Sequence, residues 1–260
     1  LRSDSYNKTN IIRNTILRRS GWDENYLKGK LVLECGCGAG HDTEALLGLG
    51  AKVISFDLSN SVDVAVENNG SSNDVLVLQA DIFKIPLQVD LFDVVYCHRV
   101  IQHTPEPENA FYSIARHARK GGDIFLHSYS THWKSMVHWK YALRPITMRM
   151  SHERVFKLLT FFGPFLYRAL GIARKLRLKF LRRIIPFDNS ERALKRHNAQ
   201  LTDQEKYEYS LTIVFDALTP FYDIPNSPKT ITKWFRNAGY ENIVVRKRRP
   251  VVVVGSRKTD

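Results

Sequence analysis

The sequence predicts an α/β protein: a doubly wound, mostly parallel seven-stranded sheet with a helical segment inserted after the fifth strand. Three observations lead there. Short apolar runs alternate with helix-length segments through the first 130 residues. A glycine-rich turn joins the first run to the first helix. The alternation then stops for about 95 residues and resumes as one helix and two strands. Alternating β and α units of this length imply parallel strands joined by right-handed crossovers.

Leu31–Cys35 is a short apolar run ending in glycines and reads as a buried strand. A helix follows from His41 to Leu49 and stops at Gly50. Lys52–Phe56 is the second strand, ending at Asp57. Asn60–Asn69 reads as a short helix closed by Gly70, and Val75–Gln79 as a third strand ending at Asp81. Phe92–Cys97 is the fourth strand. Pro105–Lys120 reads as a helix with proline near its start and Gly121-Gly122 at its end. Asp123–Ser128 is the fifth strand. After the insertion come a helix over Thr230–Ala238 and strands over Asn242–Arg246 and Val251–Gly255. The four residues between those two strands allow only a hairpin, so the sheet should close on an antiparallel edge.

The formal net charge of +13 points to an acidic partner. It is not spread evenly: Lys134 to Arg196 holds sixteen Lys/Arg against three acids, so the remainder is near neutral. No apolar run is read as reaching the roughly 18 residues needed to span a bilayer. The first ten residues lack the apolar stretch of a secretory signal. The three cysteines read as reduced thiols. The expected location is the cytoplasm, with peripheral membrane contact through the basic insertion. No Asp/Glu/His set has metal spacing, so no metal is expected.

The chemistry concentrates in Glu34-Cys35-Gly36-Cys37-Gly38-Ala39-Gly40, between the first strand and the first helix. Glycines there let the backbone turn tightly and approach a ligand, at the carboxyl edge where doubly wound sheets bind theirs. Asp57 lies 21 residues beyond Gly36, placed to accept hydrogen bonds from ribose hydroxyls, with Leu58 next to it. Asp81 is placed to accept from an adenine amino group, with Ile82 and Phe83 flanking the base. A dinucleotide would share the glycines and the acid, but G-x-G-x-x-G fails because His41 occupies its last position. An acid such as Glu34 ahead of the glycines suits an ammonium and a sulfonium better than a pyrophosphate.

These residues resemble the class I S-adenosylmethionine-dependent methyltransferases. The match comprises the E-x-G-x-G-x-G loop of Glu34 to Gly40, Asp57, Asp81, and the stretch Phe92 to Pro105. That stretch resembles the fourth-strand motif of the small-molecule branch, where an apolar strand runs into a histidine and a proline before a helix. The resemblance covers residues 28–130 and 228–257 and implies strand order 3-2-1-4-5-7-6, with strand seven antiparallel. It implies S-adenosyl-L-methionine as cofactor, held by Glu34, Gly36, Cys37, Gly38, Gly40, Asp57, Leu58, Asp81, Ile82, Phe83 and His98. It also implies a methyltransferase domain over 1–130 and 227–260, and an acceptor-binding lid over 131–226. The segment from Phe215 to Pro225, with Trp234 to Tyr240, is similar to methyltransferases acting alongside surface-polysaccharide glycosyltransferases.

His103 is the candidate general base, because an unshifted histidine accepts a proton near neutral pH and follows the fourth strand at the carboxyl edge. The alternative is that His103 orders its loop by bonding to backbone; His127, His132, His138 and His152 are rivals for the base. The insertion is expected to be helical and to close an acceptor pocket with Trp133, Tyr141, Phe215 and Tyr222. Its basic residues, including Arg174, Lys175, Arg182 and Arg183, suit an anionic or lipid-linked glycan or an anionic membrane surface. Nucleic acid is disfavoured because the core offers no continuing basic track. RNA methylation and a non-catalytic binding subunit are the alternatives; the acceptor and the oligomeric state are left open.

Overall fold

The computed structural model describes residues 4–7, 9–132, 139–178, 180–187 and 202–259. The side chains of Tyr6, Asn7, Arg182 and Arg183 are not among those described. Trp133 and His138, singled out above, lie outside the described residues.

The chain forms two compact units, Arg2–Thr131 with Tyr222–Asp260, and His132–Phe221 together with Leu1. The first is the α/β unit. Its elements are α1 (Asp4–Asn7), α2 (Ile11–Ser20), β1 (Leu31–Cys35), α3 (His41–Gly48), β2 (Lys52–Asp57), α4 (Ser61–Asn69), β3 (Val75–Gln79) and β4 (Phe92–His98). A 3-10 turn (Ile101–His103), α5 (Pro107–Ala115) and β5 (Ala118–Ser128) follow. The sheet runs β3-β2-β1-β4-β5-β7-β6. Strands β1 to β5 pair in parallel; β7 (Val251–Arg257) is antiparallel to both β5 and β6 (Tyr240–Arg248). The expected fold class and closing hairpin are both present.

The register divides the core. Leu33, Val95, Ile124, Leu126 and Val253 share one face and pack under Phe111 of α5 and Phe235 of the helix before β6 (Pro228–Asn237). Burying these side chains fully stabilises the fold by roughly 1.5–3 kcal/mol each. The other face carries Glu34, Tyr96, His98, Phe125 and His127, as the pairs Glu34↔Tyr96↔Phe125 and His98↔His127 require. Polar residues on that face are what α2 and α3 cover.

Two expectations are corrected. The fifth helix ends at Ala115 rather than Lys120, and β5 starts five residues early. Gly121-Gly122 is not a helix stop but an irregularity in the β4–β5 pairing, which shifts between Phe92↔Ala118 and Val94↔Asp123. A Cβ on Gly122 would lie 2.9 Å from the carbonyl oxygens of Arg119 and Phe92, so only glycine permits this approach.

In the second unit the described elements are helices joined by turns. Among the described residues its helices are α6 (Trp139–Thr147), α7 (His152–Lys175), α8 (Leu181–Ile184) and α9 (Asp203–Leu218). Thr202 and Glu205 form a reciprocal cap at the start of α9. Val155, Leu159, Leu170, Leu211 and Val214 build the core, and the buried Arg144 donates to the Pro220 carbonyl at 2.8 Å. By length and composition alone α7 is long and apolar enough to cross a membrane, which corrects the expectation that no segment is. Reading by apolar runs overlooked it because Lys157 and Arg168 break the run.

Candidate functional site

The loop after β1 needs its glycines for different reasons. Gly36, Gly38 and Gly40 all have positive φ, at 75°, 53° and 80°. A Cβ at Gly36 would sit 2.3 Å from Val100, and one at Gly40 would sit 2.3 Å from Asn69, so both are fixed by packing. A Cβ at Gly38 would meet nothing within 4 Å, so the backbone there faces open space. Cys37 is buried beside Val62 and Ala65, and burial pushes its thiol well above the ordinary range. It packs rather than reacts.

Adjacent strand ends converge on this loop. Asp57 Oδ2 accepts from the Gly38 amide at 2.9 Å, while Oδ1 accepts from the Ser59 amide at 2.9 Å and its hydroxyl at 2.7 Å. Leu58 follows at 68% exposure, a large apolar side chain with no core to fill. Asp81, beyond β3, accepts the Phe83 amide on Oδ1 at 2.9 Å, and Ile82 is buried beside it. An open backbone at Gly38, a carboxylate at the end of β2 and an uncovered apolar side chain next to it fit a nucleoside. The residues present therefore suit the adenosyl part of S-adenosylmethionine.

Glu34 points inward. It is 2% exposed, and its Oε2 accepts from the hydroxyls of Thr43 and Ser55, each at 2.6 Å. Burial, reinforced by Asp42, raises its carboxyl pKa to about 7 despite those two donors. Such a group holds a proton when nothing cationic is near and can ionise for a ligand cation.

The sequence reading missed the arrangement around His98. Asp42 Oδ2 lies 2.5 Å from His98 Nδ1 and accepts the Tyr96 hydroxyl at 3.0 Å. Arg19, from α2, reaches His98 Nε2 at 2.6 Å. A guanidinium only donates, so Nε2 accepts, Nδ1–H faces Asp42, and the ring is neutral. The energetics agree: burial lowers the His98 pKa against the pull of Asp42. Burial would raise Asp42, but the His98 contact and Arg99 outweigh it and hold the carboxyl at about 2. Asp42 lies two residues beyond Gly40, which was the available signal; nothing local marks Arg19.

His127, 1% exposed at the end of β5, lies tilted against the His98 ring with centroids 4.7 Å apart, and both its nitrogens lack a hydrogen-bond partner. The side-chain amide of Gln102 is likewise buried and unpartnered. Buried polar atoms of this kind normally find a protein, water or ligand partner. His103 is half-buried, with Nδ1 2.9 Å from the Tyr222 carbonyl oxygen. That oxygen can only accept, so Nδ1 carries the hydrogen and Nε2 is the basic nitrogen of the neutral ring. Tyr222 thus belongs to the α/β unit, while Phe215 packs inside the helical unit against His152 and Phe156. Among the described residues no His/Cys/Asp/Glu cluster is placed to hold a metal ion.

Residues 33–126 match the family described as methyltransferase domain. Among curated proteins, the ubiquinone biosynthesis O-methyltransferase of Burkholderia vietnamiensis is 31% identical over 125 residues, covering 46% of this chain and 53% of that protein. The enzyme of the same name from Thiobacillus denitrificans is 34% identical over 115 residues, covering 43% and 49%. The chain spans about half the length of the curated relatives it matches. Among solved structures, a chain from the complex of the Haloferax volcanii Trm112 methyltransferase activator with a methyltransferase aligns at TM-score 0.50 and 13% identity. That alignment covers 97% of this chain and 91% of the other, and speaks for the fold alone. The domain match over residues 33–126, the strand order and the loop of Gly36, Gly38 and Gly40 leading to Asp57 and Asp81 together make the α/β unit similar to the class I S-adenosylmethionine-dependent methyltransferases.

Proposed function

We propose that the protein methylates a hydroxyl oxygen of a small, sugar-like acceptor that bears negative charge or a lipid carrier. The observation that carries the reading is the convergence of the Gly36–Gly40 loop, Asp57, Leu58 and Asp81 at one sheet edge, on a domain matching methyltransferases. When bound, S-adenosylmethionine supplies an electrophilic methyl group. Gly38 gives its backbone room, Asp57 and Asp81 take up ribose and adenine donors, and Leu58, Ile82 and Phe83 flank the base. Glu34 and His98, on one face of β1 and β4, serve the amino-acid end. His103 Nε2 takes the acceptor's proton, while the Tyr222 carbonyl holds the tautomer that leaves this nitrogen basic. Much of the rate comes from aligning the acceptor oxygen with the methyl group.

The helical unit leaves the chain directly after β5, and its basic excess supports an anionic acceptor. The O-methyltransferase names of the relatives support oxygen as the methylated atom. An acceptor screen with methyl-labelled cofactor tests the proposal. Label transfer to hydroxyl-bearing anionic glycans or their lipid-linked forms is the expected result, and label transfer to structured RNA alone would overturn it.

A further inference from the structure

One face of α7 is at once apolar, basic and uncovered. Leu158, Phe161, Phe165 and Ile172 follow the three-and-four spacing of a single helical stripe, and all are exposed, Phe161 by 78% and Phe165 by 73%. Arg154, Arg168 and Lys175 continue the same spacing and are exposed as well. The opposite face, with Val155, Leu159 and Leu170, is buried in the core of the helical unit. Beyond α7 the chain turns at Arg177, which has positive φ, and exposes Leu178, Phe180, Leu181 and Ile184.

We propose that this face docks on an anionic membrane surface, lying in the plane of the interface. Soluble monomers rarely leave so many large apolar side chains uncovered without a partner. The partner must be apolar and anionic together. A boundary of acyl chains and acidic headgroups is both: the phenylalanines enter the chains while Arg154, Arg168 and Lys175 reach the phosphates. A second copy fits poorly, because a two-fold seam would set Arg168 and Lys175 against one another. A span fits poorly too, since one side of α7 is committed to the helical core and Arg168 sits in the middle of the other. The only acid in α7, Glu153, already pairs with Lys157 at 2.6 Å.

Flotation of the full chain with vesicles tests this independently of any methyl transfer. Binding is expected to phosphatidylcholine vesicles containing phosphatidylglycerol at physiological salt, and to be much weaker with phosphatidylcholine alone. R168Q/K175Q should weaken the anionic binding by about fivefold per cation removed, with raised salt acting in the same direction. F161D/F165D should weaken it by about tenfold or more, because the apolar insertion is lost. All four positions are exposed, and an unchanged melting temperature and circular dichroism spectrum would show that the fold is intact. Absence of vesicle binding by the parent chain overturns the proposal. So does a parent dimer that F161D/F165D turns monomeric, which would assign the face to a second copy, and so does anionic binding unchanged in both variants.

Discussion

Arg19 donates to the Nε2 of His98 at 2.6 Å, joining α2 to the end of β4 across 79 positions of sequence. This contact holds the His98 ring neutral, because Nε2 is engaged as an acceptor. Burial lowers the Arg19 pKa to about 10, still far above neutrality, so the donor stays charged. Arg19→Met should therefore let His98 take up a proton at higher pH than in the parent. NMR titration of the His98 ring reads this directly; identical titration in the two proteins would remove Arg19 from the arrangement.

Glu34 sets a pH dependence of stability. Its carboxyl pKa is about 7 folded against an ordinary value of 4.5, so below 4.5 both states are protonated and it has no effect. Between 4.5 and 7 the unfolded chain ionises first, and the folded chain binds more protons. Stability from this group therefore falls as pH rises, by about 3 kcal/mol in full above pH 7. Glu34→Gln should melt higher relative to the parent at pH 8 than at pH 5, measured without cofactor. The same variant should bind S-adenosylhomocysteine more weakly, if the carboxylate ionises for the ligand's ammonium.

The glycines of the loop should separate structure from binding. Gly36→Ala places a Cβ into Val100 and should destabilise the fold by more than about 2 kcal/mol. Gly38→Ala meets no atom and should incur only the left-handed backbone strain of about 1–2 kcal/mol. Its larger effect should fall on cofactor affinity. Thermal melts and calorimetry on both variants check the contrast, and equal losses of stability would contradict it.

Turnover should depend on His103. His103→Ala is expected to reduce methyl transfer to the identified acceptor by roughly 10²–10⁴ while leaving cofactor affinity nearly unchanged. Steady-state kinetics beside calorimetry separates these effects. Normal turnover would mean that His103 only orders its loop through Tyr222.

The bounds of β1 and β3 were legible because each is an apolar run closed by glycine or aspartate, where periodicity and turn chemistry agree. β5 was misread at its start because Gly121-Gly122 serves a pairing irregularity as readily as a helix end, and only the partner strand decides. α2 escaped notice because Ile11, Ile12 and Ile16 are scattered among polar residues, and its anchoring is tertiary. The candidate cofactor residues rest on short-range spacing along Gly36–Gly40, Asp57 and Asp81, which a sequence carries. Asp42, Tyr96 and Gln102 were not legible, because burial and pairing between strands give them their properties; His127 stood among the rival bases, but its burial beside His98 shows only in the fold.

Isothermal titration calorimetry with S-adenosylhomocysteine, on the parent chain and on Asp57→Ala, tests the cofactor assignment most directly. The parent should bind S-adenosylhomocysteine and not NAD, and Asp57→Ala should lose about 1–3 kcal/mol of affinity through its ribose hydrogen bonds. Tight NAD binding with no response to S-adenosylhomocysteine would contradict the assignment, and undiminished affinity in Asp57→Ala would move the ribose away from the end of β2.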